Sequence, residues 1–291
     1  MTNPRVPFQM TSERKPLRPP KKGKMLIAHV VLNVEYWPFD QPMPRKTLST
    51  PHGMEPVPDI PNYSWAEYGL RCGMPRILDL LAQMKLPASA NLNSTVIDQY
   101  PTVAQAMLKA KWEFIGHGYT QKNMQKVPDE REDIRRTTEA IAAFTGKRPR
   151  GWLGPGLTET WETPDLLVEA GYEYVCDWVL DDQPVQLRTR TQPIVNIPYT
   201  QECNDVAMML IQHHAGAEYH QRAIDQFDQL HADAEGSARV MALVVHPYIM
   251  GAPHRLKYLV KVFEHMARRE GVLYWTGEQI LDWYRAQRNA A

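Results

Sequence analysis

The stretch Glu113-Phe-Ile-Gly-His-Gly-Tyr-Thr-Gln121 predicts a buried strand that ends in a tight turn at an imidazole. Trp112 to Ile115 is apolar, and a glycine lies on each side of His117. Because glycine has no Cβ, backbone or ligand atoms can approach this imidazole closely. In parallel α/β proteins the carboxyl ends of the strands carry the active site. We therefore expect His117 to face a functional site to which other parts of the chain contribute polar groups.

Apolar runs and helical patterns alternate along the rest of the chain. Met25 to Glu35 is almost continuously apolar and rich in β-branched residues, which predicts a central parallel strand. Ala238 to Val245 predicts a second buried strand, which ends at His246-Pro247. Seven or eight such strands, one of them from Tyr172 to Trp178, alternate with helices, without an internal repeat or linker. Thr95 to Ala110 predicts one of these helices, and Gly73-Met-Pro75 marks a break in another, from about Trp65 to Met84. The pattern predicts an α/β fold, a (β/α) barrel over residues 25–291, preceded by an extended arm over residues 1–24.

The composition excludes several classes of protein. Basic and acidic side chains balance at 33 each, unlike the basic surface of a nucleic-acid binder. No apolar run approaches the ~20 residues of a membrane span, and the N-terminus lacks the apolar core of a signal peptide. The three cysteines form no CxxC pair, so no disulfide framework or thiolate zinc site is predicted. We expect a cytoplasmic protein with a small-molecule substrate and no nucleic-acid or membrane partner. The arm and the C-terminal helix favour a homo-oligomer.

Three of the predicted strands end in a titratable residue: Glu35, His117 and His246. In a barrel such ends converge on one face. One carboxylate and two imidazoles suit general acid–base hydrolysis, in which water loses a proton and a leaving nitrogen gains one. Each residue also has a structural alternative, a salt bridge for Glu35 and a hydrogen-bonded core position for either histidine. Their common position favours the catalytic interpretation.

The order of these motifs resembles that of the NodB-homology polysaccharide deacetylase superfamily. The shared features are Glu35 after the first strand, His117 to Gln121, Gly151-Trp152 and His246-Pro247, over roughly residues 25–285. The resemblance implies a distorted seven-stranded, TIM-like (β/α) barrel in one domain and hydrolysis of a carbon–nitrogen amide bond. It also implies that the final histidine, His246 here, is the general acid.

The chain departs from this family at the metal site. Gln121 stands where the family has the second histidine of an H-[ST]-x-x-H motif, and Asn33-Val-Glu35 replaces an aspartate pair. Catalytic zinc sites use three good nitrogen or oxygen donors. We therefore expect no metal cofactor. If zinc or another divalent ion is bound, the resemblance gives Glu35, His117 and Gln121 as its weak ligands.

Further segments are similar to a subgroup of this superfamily, the PuuE-type allantoinases and cyclic imide hydrolases. They are Tyr174 to Pro184, Ile197 to Asp205 and His246 to Arg255. The similarity implies a small cyclic amide, ureide or imide as substrate. Water would be activated by Glu35, the leaving nitrogen protonated by His246, and the oxyanion or water held by His117. The predicted substrate-binding residues are Asn33, Trp152 (or Trp178), Asp177, Tyr199, Asn204 and Asp205, with Asp177 also a candidate to orient His246.

Two alternatives remain open. The first is a metal-dependent N-deacetylase of a polysaccharide or amino sugar, and the second is a degenerate barrel that binds a small ligand without turnover. The proline-rich stretch from Tyr36 to Tyr63 predicts a cover over the active site, because long aperiodic connections often have that function. Such a cover favours a small cyclic amide over a glycan, which needs an open groove. Within this stretch, Trp37 and His52-Gly53 are candidates to line a cavity, although His52 is equally consistent with a surface position.

Overall fold

The computed structural model describes residues 3–48 and 55–289. The strands are β1 (Leu26–Val34), β2 (Ser89–Leu92), β3 (Glu113–Gly116), β4 (Gly151–Trp152), β5 (Tyr174–Val175), β6 (Val185–Leu187), β7 (Ile194–Asn196), β8 (Arg239–Val245) and β9 (Val272–Tyr274). The α-helices are α1 (Ile60–Tyr68), α2 (Met74–Met84), α3 (Val96–Gln99), α4 (Pro101–Lys109), α5 (Glu130–Thr145), α6 (Thr163–Glu169), α7 (Gly216–Asp233), α8 (Pro253–Ala267) and α9 (Gly277–Asn289).

One curled sheet forms the centre of the fold. Its strands follow the order β6-β7-β5-β4-β3-β2-β1-β8, and β9 pairs with the first residues of β1. From β7 to β8 in this order the seven strands are parallel, whereas β6 is antiparallel to β7. On its far side β8 contacts the segment after β7 through a bridge between Asn204 and Val244. The predicted single-domain α/β fold, a distorted seven-stranded (β/α) barrel, is confirmed.

β1 is the central strand, and all nine of its residues are buried. Its even-numbered residues, from Leu26 to Val34, belong to the cluster that also contains the buried faces of α2 and α8. Ile27 and Val31 belong to a second cluster, which also contains buried residues of α9. Because side chains alternate along a strand, Asn33 and Glu35 continue the series of Ile27 and Val31. They therefore share a face of the sheet with Ile27 and Val31, and they lie at its carboxyl end because β1 ends at Val34.

The strand registers determine which residues meet at that end. Val34 of β1 pairs with Leu92 of β2, which in turn pairs with Gly116 of β3. The next residues, Glu35 and His117, therefore lie at the same level. Leu32 pairs with Val245 of β8, so His246 follows at the level of Asn33.

The structure departs from the sequence-based prediction mainly in short elements. β6 was not predicted, and the strand predicted from Tyr172 to Trp178 is shortened to β5. The helix predicted from Thr95 to Ala110 is divided into α3 and α4 at Tyr100-Pro101, because proline has no N–H with which to continue a helical ladder.

A π-helical turn, Gly69–Gly73, joins α1 to α2 where the sequence predicted a break near Gly73-Met-Pro75. Its glycines permit close contact with the turn that follows β8. A Cβ on Gly73 would lie 2.1 Å from the carbonyl oxygen of Pro247, and a Cβ on Gly69 would lie 2.4 Å from the backbone nitrogen of Tyr248. These glycines therefore allow the π-helical turn to pack against the His246-Pro247 turn, and they do not end the helix.

The segment before β1 lies along the barrel. Arg5 pairs with Asp165 at 2.7 Å, and the backbone nitrogen of Ala238 donates to the carbonyl of Leu17 at 3.1 Å. Apart from a 3₁₀ turn at Thr11–Glu13, residues 3–20 have no helix or strand. Among the described helices, none has the length and apolar character needed to cross a membrane.

Candidate functional site

A cavity of about 250 Å³ opens at the carboxyl ends of the parallel strands. Glu35, His117 and His246 all line it, so the structure brings the three titratable strand-end residues together. A larger cavity, of about 870 Å³, lies between the N-terminal segment and α9. The residues described around it include no carboxylate and no imidazole. The smaller cavity is therefore the one equipped for acid–base chemistry.

Hydrogen-bond donors enclose the Glu35 carboxylate. Oε1 accepts from Gln121 Nε2 at 3.0 Å and from Arg45 Nη1 at 3.2 Å. Oε2 accepts from Trp37 Nε1 at 2.9 Å and from Tyr248 Oη at 3.1 Å. The Glu35 side chain is only 1% exposed. A carboxylate has about four acceptor positions, so these donors leave no position for a water molecule.

Arg45 keeps Glu35 ionised. Burial alone would raise the pKa of Glu35, but the charge of Arg45 and the proximity of His246 outweigh it and lower this pKa well below its ordinary value. A carboxylate with such a low pKa is a weak base. The geometry therefore argues against the expected role of Glu35 in deprotonating water. Glu35 instead supplies a fixed negative charge beside His246.

Asp205 sets the tautomer and charge of His246. Its Oδ1 lies 2.6 Å from His246 Nδ1, and its Oδ2 accepts from the backbone nitrogen of His246 at 2.7 Å. On the other side of the ring, Nε2 lies 3.4 Å from Glu35 Oε1. Burial lowers the pKa of His246, but the two carboxylates outweigh it and raise this pKa above its ordinary value. The two carboxylates therefore favour the form of His246 that carries a proton on Nε2, and the long contact leaves that proton available to a group in the cavity.

His117 offers the opposite kind of nitrogen. Its Nδ1 lies 2.6 Å from the carbonyl oxygen of Leu153. A carbonyl only accepts, so Nδ1 carries the proton and Nε2 of the neutral ring carries a lone pair. Burial lowers the pKa of His117 to about 4. Within residues 3–48 and 55–289, Nε2 has no hydrogen-bond partner. Neutral His117 can accept from water but cannot donate to an oxyanion, which was one of its predicted roles.

The donors present do not fit a divalent metal. Of the alternative ligand set, Gln121 turns its amide nitrogen toward Glu35, and Arg45 already neutralises that carboxylate. The carbonyl oxygen of Gln121 is buried without a partner in the described part of the chain, and Gln121 does not line the cavity. Of the three residues in that set, only His117 has a free donor atom in a residue that lines the cavity, whereas a catalytic zinc takes three protein ligands. In the described ranges no three His, Cys, Asp or Glu side chains form a metal-binding group.

Three of the six predicted substrate-binding residues line the cavity: Asn33, Tyr199 and Asn204. Asn33 Nδ2 donates to Tyr199 Oη at 3.0 Å. Among the described residues, the side-chain amide of Asn204 forms hydrogen bonds only within its own segment. Its Oδ1 accepts from the backbone nitrogen of Val206 at 3.0 Å, and its Nδ2 donates to the carbonyl of Thr200 at 3.3 Å. The hydroxyl of Tyr199 is thus the better placed group to meet a substrate.

Asp177 does not orient His246, and that prediction is wrong. Its Oδ1 accepts from the backbone nitrogen of Gly154 at 2.7 Å, and its carboxyl faces that of Glu159. Asp205 occupies Nδ1 of His246 instead. Because both oxygens of Asp205 are engaged by His246, Asp205 positions the acid and does not grip a substrate as predicted.

The predicted aromatic partners of the substrate also lie elsewhere. Trp152 is fully buried and packs edge-on against Tyr172, with ring centroids 5.4 Å apart. Trp178 donates its indole N–H to Glu159 at 3.0 Å. Neither indole lines the cavity. Within the described residues, the aromatic side chain at the cavity wall is Tyr199.

Sequence reasoning missed the groups that enclose Glu35. Trp37 and Arg45 belong to the proline-rich stretch, and Tyr248 follows the turn at His246. Trp37 bonds Glu35 rather than lining the cavity, and His52-Gly53 lies outside the described residues. The sequence did contain one signal for the contact between Arg45 and Glu35. Arg45 lies in a segment predicted to cover the site, and Glu35 is a carboxylate in that site.

The chain is similar to several known proteins. A family model described as polysaccharide deacetylase matches residues 62–175. A Schizosaccharomyces pombe protein, provisionally named a polysaccharide deacetylase, is 28% identical over 83% of this chain and 83% of its own length. A Helicobacter pylori protein named peptidoglycan deacetylase is 25% identical over 79% of this chain and 89% of its own. The crystal structure of PuuE allantoinase has a TM-score of 0.84 at 26% identity and covers 98% of both chains.

These similarities agree with the geometry. The segment matched by the family model contains β2 to β5 and His117. The whole-chain match to a solved structure covers the remaining strands, including those that end at Glu35 and His246. Over most of its length the chain is therefore similar to proteins named polysaccharide deacetylase, peptidoglycan deacetylase and allantoinase.

Proposed function

We propose that the protein hydrolyses a carbon–nitrogen bond of a small cyclic amide, such as an imide or ureide, without a metal ion. The observation that carries this proposal is the pairing of two imidazoles in opposite states. His246 is held protonated between Asp205 and Glu35, and His117 has a free acceptor at Nε2. The likeness to PuuE allantoinase over nearly the whole chain favours a ring substrate.

The size of the cavity also favours a small ring. Its volume of about 250 Å³ lies below the ~300–1,000 Å³ typical of sites for drug-sized ligands. Arg45 and Tyr248 close the side around Glu35, and the apolar residues Leu153, Leu157 and Ile211 form part of the wall. A glycan chain needs a groove that is open at both ends, whereas a single ring needs only this space.

In the proposed reaction, water attacks the ring carbonyl carbon and gives one proton to Nε2 of His117. The resulting tetrahedral carbon carries the new hydroxyl and an oxyanion. The oxyanion then reforms the carbonyl, and the carbon–nitrogen bond breaks with its electron pair on nitrogen. The nitrogen takes the proton from Nε2 of His246, which opens the ring to a carboxylic acid and an N–H group. Afterwards His117 loses its proton to solvent and His246 regains one.

Glu35 has a different task in this proposal from the one predicted. It remains ionised and holds the imidazolium of His246 from one side, while Asp205 holds it from the other. Arg45 balances the charge of Glu35, so that the buried cluster is not left with excess negative charge. The positions of the two carboxylates favour His246 as acid, and the free lone pair favours His117 as base.

A second candidate function is N-deacetylation of an amino sugar. It is favoured by the names of the two curated relatives and by the description of the matching family model. The same two imidazoles would serve, because an acetamide is cleaved by the same addition and protonation steps. The two candidates differ in the size of the group that must enter the cavity.

A substrate panel separates the candidates. Purified protein is incubated with succinimide, glutarimide, hydantoin, allantoin and chitin oligomers, and products are followed by mass spectrometry and by acetate release. We expect addition of one water to at least one ring, no acetate, and loss of that activity in His246→Ala. Acetate release without ring opening supports the second candidate, and ring binding without turnover supports a degenerate barrel. Stoichiometric zinc in protein purified without chelator, with activity lost on chelation, contradicts the metal-free reaction.

A further inference from the structure

We propose that the hydroxyl of Tyr199 donates the hydrogen bond that stabilises the oxyanion formed when water adds to the ring carbonyl. This inference rests on the proposed function. It assigns a residue to the third task of amide hydrolysis, beside the tasks of acid and base. Donors aimed at the developing oxyanion are commonly the largest single contribution to such catalysis.

The donors that lie closest to Glu35 and the two imidazoles are already engaged. Arg45 Nη1 is shared between Glu35 and Tyr248, and the amide of Gln121 is turned to Glu35. His117 has no proton on the nitrogen that faces the cavity. The proton of His246 is needed by the leaving nitrogen. Gln201 also lines the cavity, but it is exposed, and no partner within the described residues fixes its amide. A buried donor with a fixed direction must therefore come from another residue of the cavity wall.

A chain of amides fixes the direction of the Tyr199 hydroxyl. Asn91 Nδ2 donates to Asn33 Oδ1 at 2.9 Å, so the amide nitrogen of Asn33 is turned toward Tyr199. That nitrogen donates to Tyr199 Oη at 3.0 Å. The phenol oxygen thus acts as acceptor within the protein, and its own proton has no acceptor in the described ranges, 3–48 and 55–289. That proton is available to a ligand.

The position of Tyr199 matches this role. Tyr199 follows β7, whereas Asn33 lies on β1, so their hydrogen bond spans the mouth of the barrel. Tyr199 lines the same cavity as His117 and His246 and is 6% exposed. Burial raises the pKa of Tyr199, which keeps the hydroxyl protonated at neutral pH. A neutral, fixed donor in a site with little water is what an oxyanion requires.

Tyr219 provides a matched control. Its hydroxyl is also buried and has no partner in the described part of the chain. It lies on α7 within the large hydrophobic cluster and does not line the cavity. An unpartnered hydroxyl alone therefore does not indicate catalysis, and the variants Tyr199→Phe and Tyr219→Phe remove the same atom from two different surroundings.

The first experiment is steady-state kinetics with the ring of the panel that wild type opens fastest. We expect Tyr199→Phe to lower kcat by about 100-fold while KM changes by less than about threefold, because the oxyanion exists only in the transition state. Tyr219→Phe should leave both constants unchanged. A Tyr199→Phe enzyme with wild-type kcat, or equal losses in both variants, overturns the inference.

A second variant tests the direction of the hydrogen bond. In Asn33→Asp, the carboxylate accepts the Tyr199 proton and turns the hydroxyl away from the cavity while the tyrosine remains. We expect a loss of kcat close to that of Tyr199→Phe, and no further loss in the double variant. Wild-type kcat in Asn33→Asp, or multiplied losses in the double variant, contradicts the assignment.

Calorimetric titration with barbiturate tests the same donor without turnover. This cyclic ureide is an anion at neutral pH and carries its charge on carbonyl oxygens. Tyr199→Phe should weaken its binding by at least about tenfold, as expected for a hydrogen bond to a charged group, and Tyr219→Phe should not. If wild type opens no ring but shows this difference, the proposed function fails and the donor assignment stands. If ring opening occurs and both variants bind like wild type, the donor assignment alone fails. Absence of both binding and turnover overturns both.

Discussion

Asp205 and His246 are joined by two hydrogen bonds, one to the ring and one to the backbone of the same histidine. Oδ1 lies 2.6 Å from Nδ1, and Oδ2 accepts from the backbone nitrogen at 2.7 Å. The carboxylate therefore fixes where β8 ends and which ring nitrogen carries the proton. It also links the segment after β7 to β8, next to the bridge between Asn204 and Val244.

Asp205→Asn should impair the acid while preserving the fold. The amide oxygen can still accept from the backbone nitrogen of His246, but the negative charge is lost, so the pKa of His246 falls. We expect kcat to fall by about 100-fold and the alkaline limb of the pH profile to move to lower pH. The control is Asp228→Asn, which alters the partly exposed Asp228–His265 pair at 3.0 Å. Unchanged kinetics in Asp205→Asn would contradict the role of Asp205.

The pH dependence of wild type should have two limbs. The base must be neutral, so kcat/KM rises as pH increases through the pKa of His117, about 4, which is set mainly by burial. The acid must be protonated, so kcat/KM falls as pH increases through the pKa of His246. Burial lowers that pKa, but Asp205 and Glu35 raise it above its ordinary value. We expect a plateau between these limits. An alkaline limb that begins already below pH 6 would disagree with the raised pKa of His246.

Asp177→Asn should stabilise the protein at alkaline pH. Burial and the facing carboxyl of Glu159 raise the pKa of Asp177 well above its usual range, and the pKa of Glu159 is raised to about 7, mainly by burial. Folded-state pKa values above the unfolded ones give stability that is full below about pH 4 and lost as pH rises through 7. The Asn oxygen keeps the bond from Gly154, and its amide nitrogen can donate to Glu159.

The measurement is the melting temperature of Asp177→Asn between pH 5 and pH 8. At pH 8 we expect an increase of about 2–4 °C, corresponding to about 1 kcal/mol, and little change at pH 5. Glu159→Gln should give a similar gain by removing the other partner of the same pair. If the two gains add fully in the double variant, the carboxyls do not interact and the explanation fails.

Gly73→Ala should destabilise the fold although alanine favours helices. The added Cβ would lie 2.1 Å from the carbonyl oxygen of Pro247, a contact that forces the turn after His246 to move. We expect a loss of about 1–3 kcal/mol in the free energy of unfolding, which exceeds the ~1 kcal/mol gained from helix propensity, together with lower kcat. Gly236→Ala is the control, because nothing lies within 4 Å of its Cβ position. Denaturant unfolding of both variants decides the matter, and equal stabilities would refute the packing explanation.

The fold was predictable because local patterns of apolar residues and glycines indicate its main strands. The continuous apolar runs of β1 and β8 and the glycines around His117 identify parallel strands and their carboxyl ends without knowledge of partners. Short strands were harder: β4 and β5 have two residues each, and β6 has three, too few for a period of two to be recognised.

The position of the site was predictable from the sequence, but the hydrogen-bond partners of its residues were not. That Glu35, His117 and His246 converge follows from strand order alone. The donors to Glu35 do not follow from strand order, because Arg45 lies in an aperiodic segment and Tyr248 lies more than 200 residues away in the sequence. Asp177 and Asp205 both follow strands, and only the three-dimensional path of the segment after β7 brings Asp205 to His246.

The most direct test of the central claim compares the pH profiles of kcat/KM for Glu35→Gln and His117→Gln. We predict that Glu35→Gln keeps an acidic limb at or below about pH 4, because His117 is still the base. Its alkaline limb should move to lower pH, because His246 loses one of its two carboxylates. His117→Gln should lose the acidic limb and most of the activity. An acidic limb that survives in His117→Gln and disappears in Glu35→Gln would contradict the claim and return the role of base to Glu35.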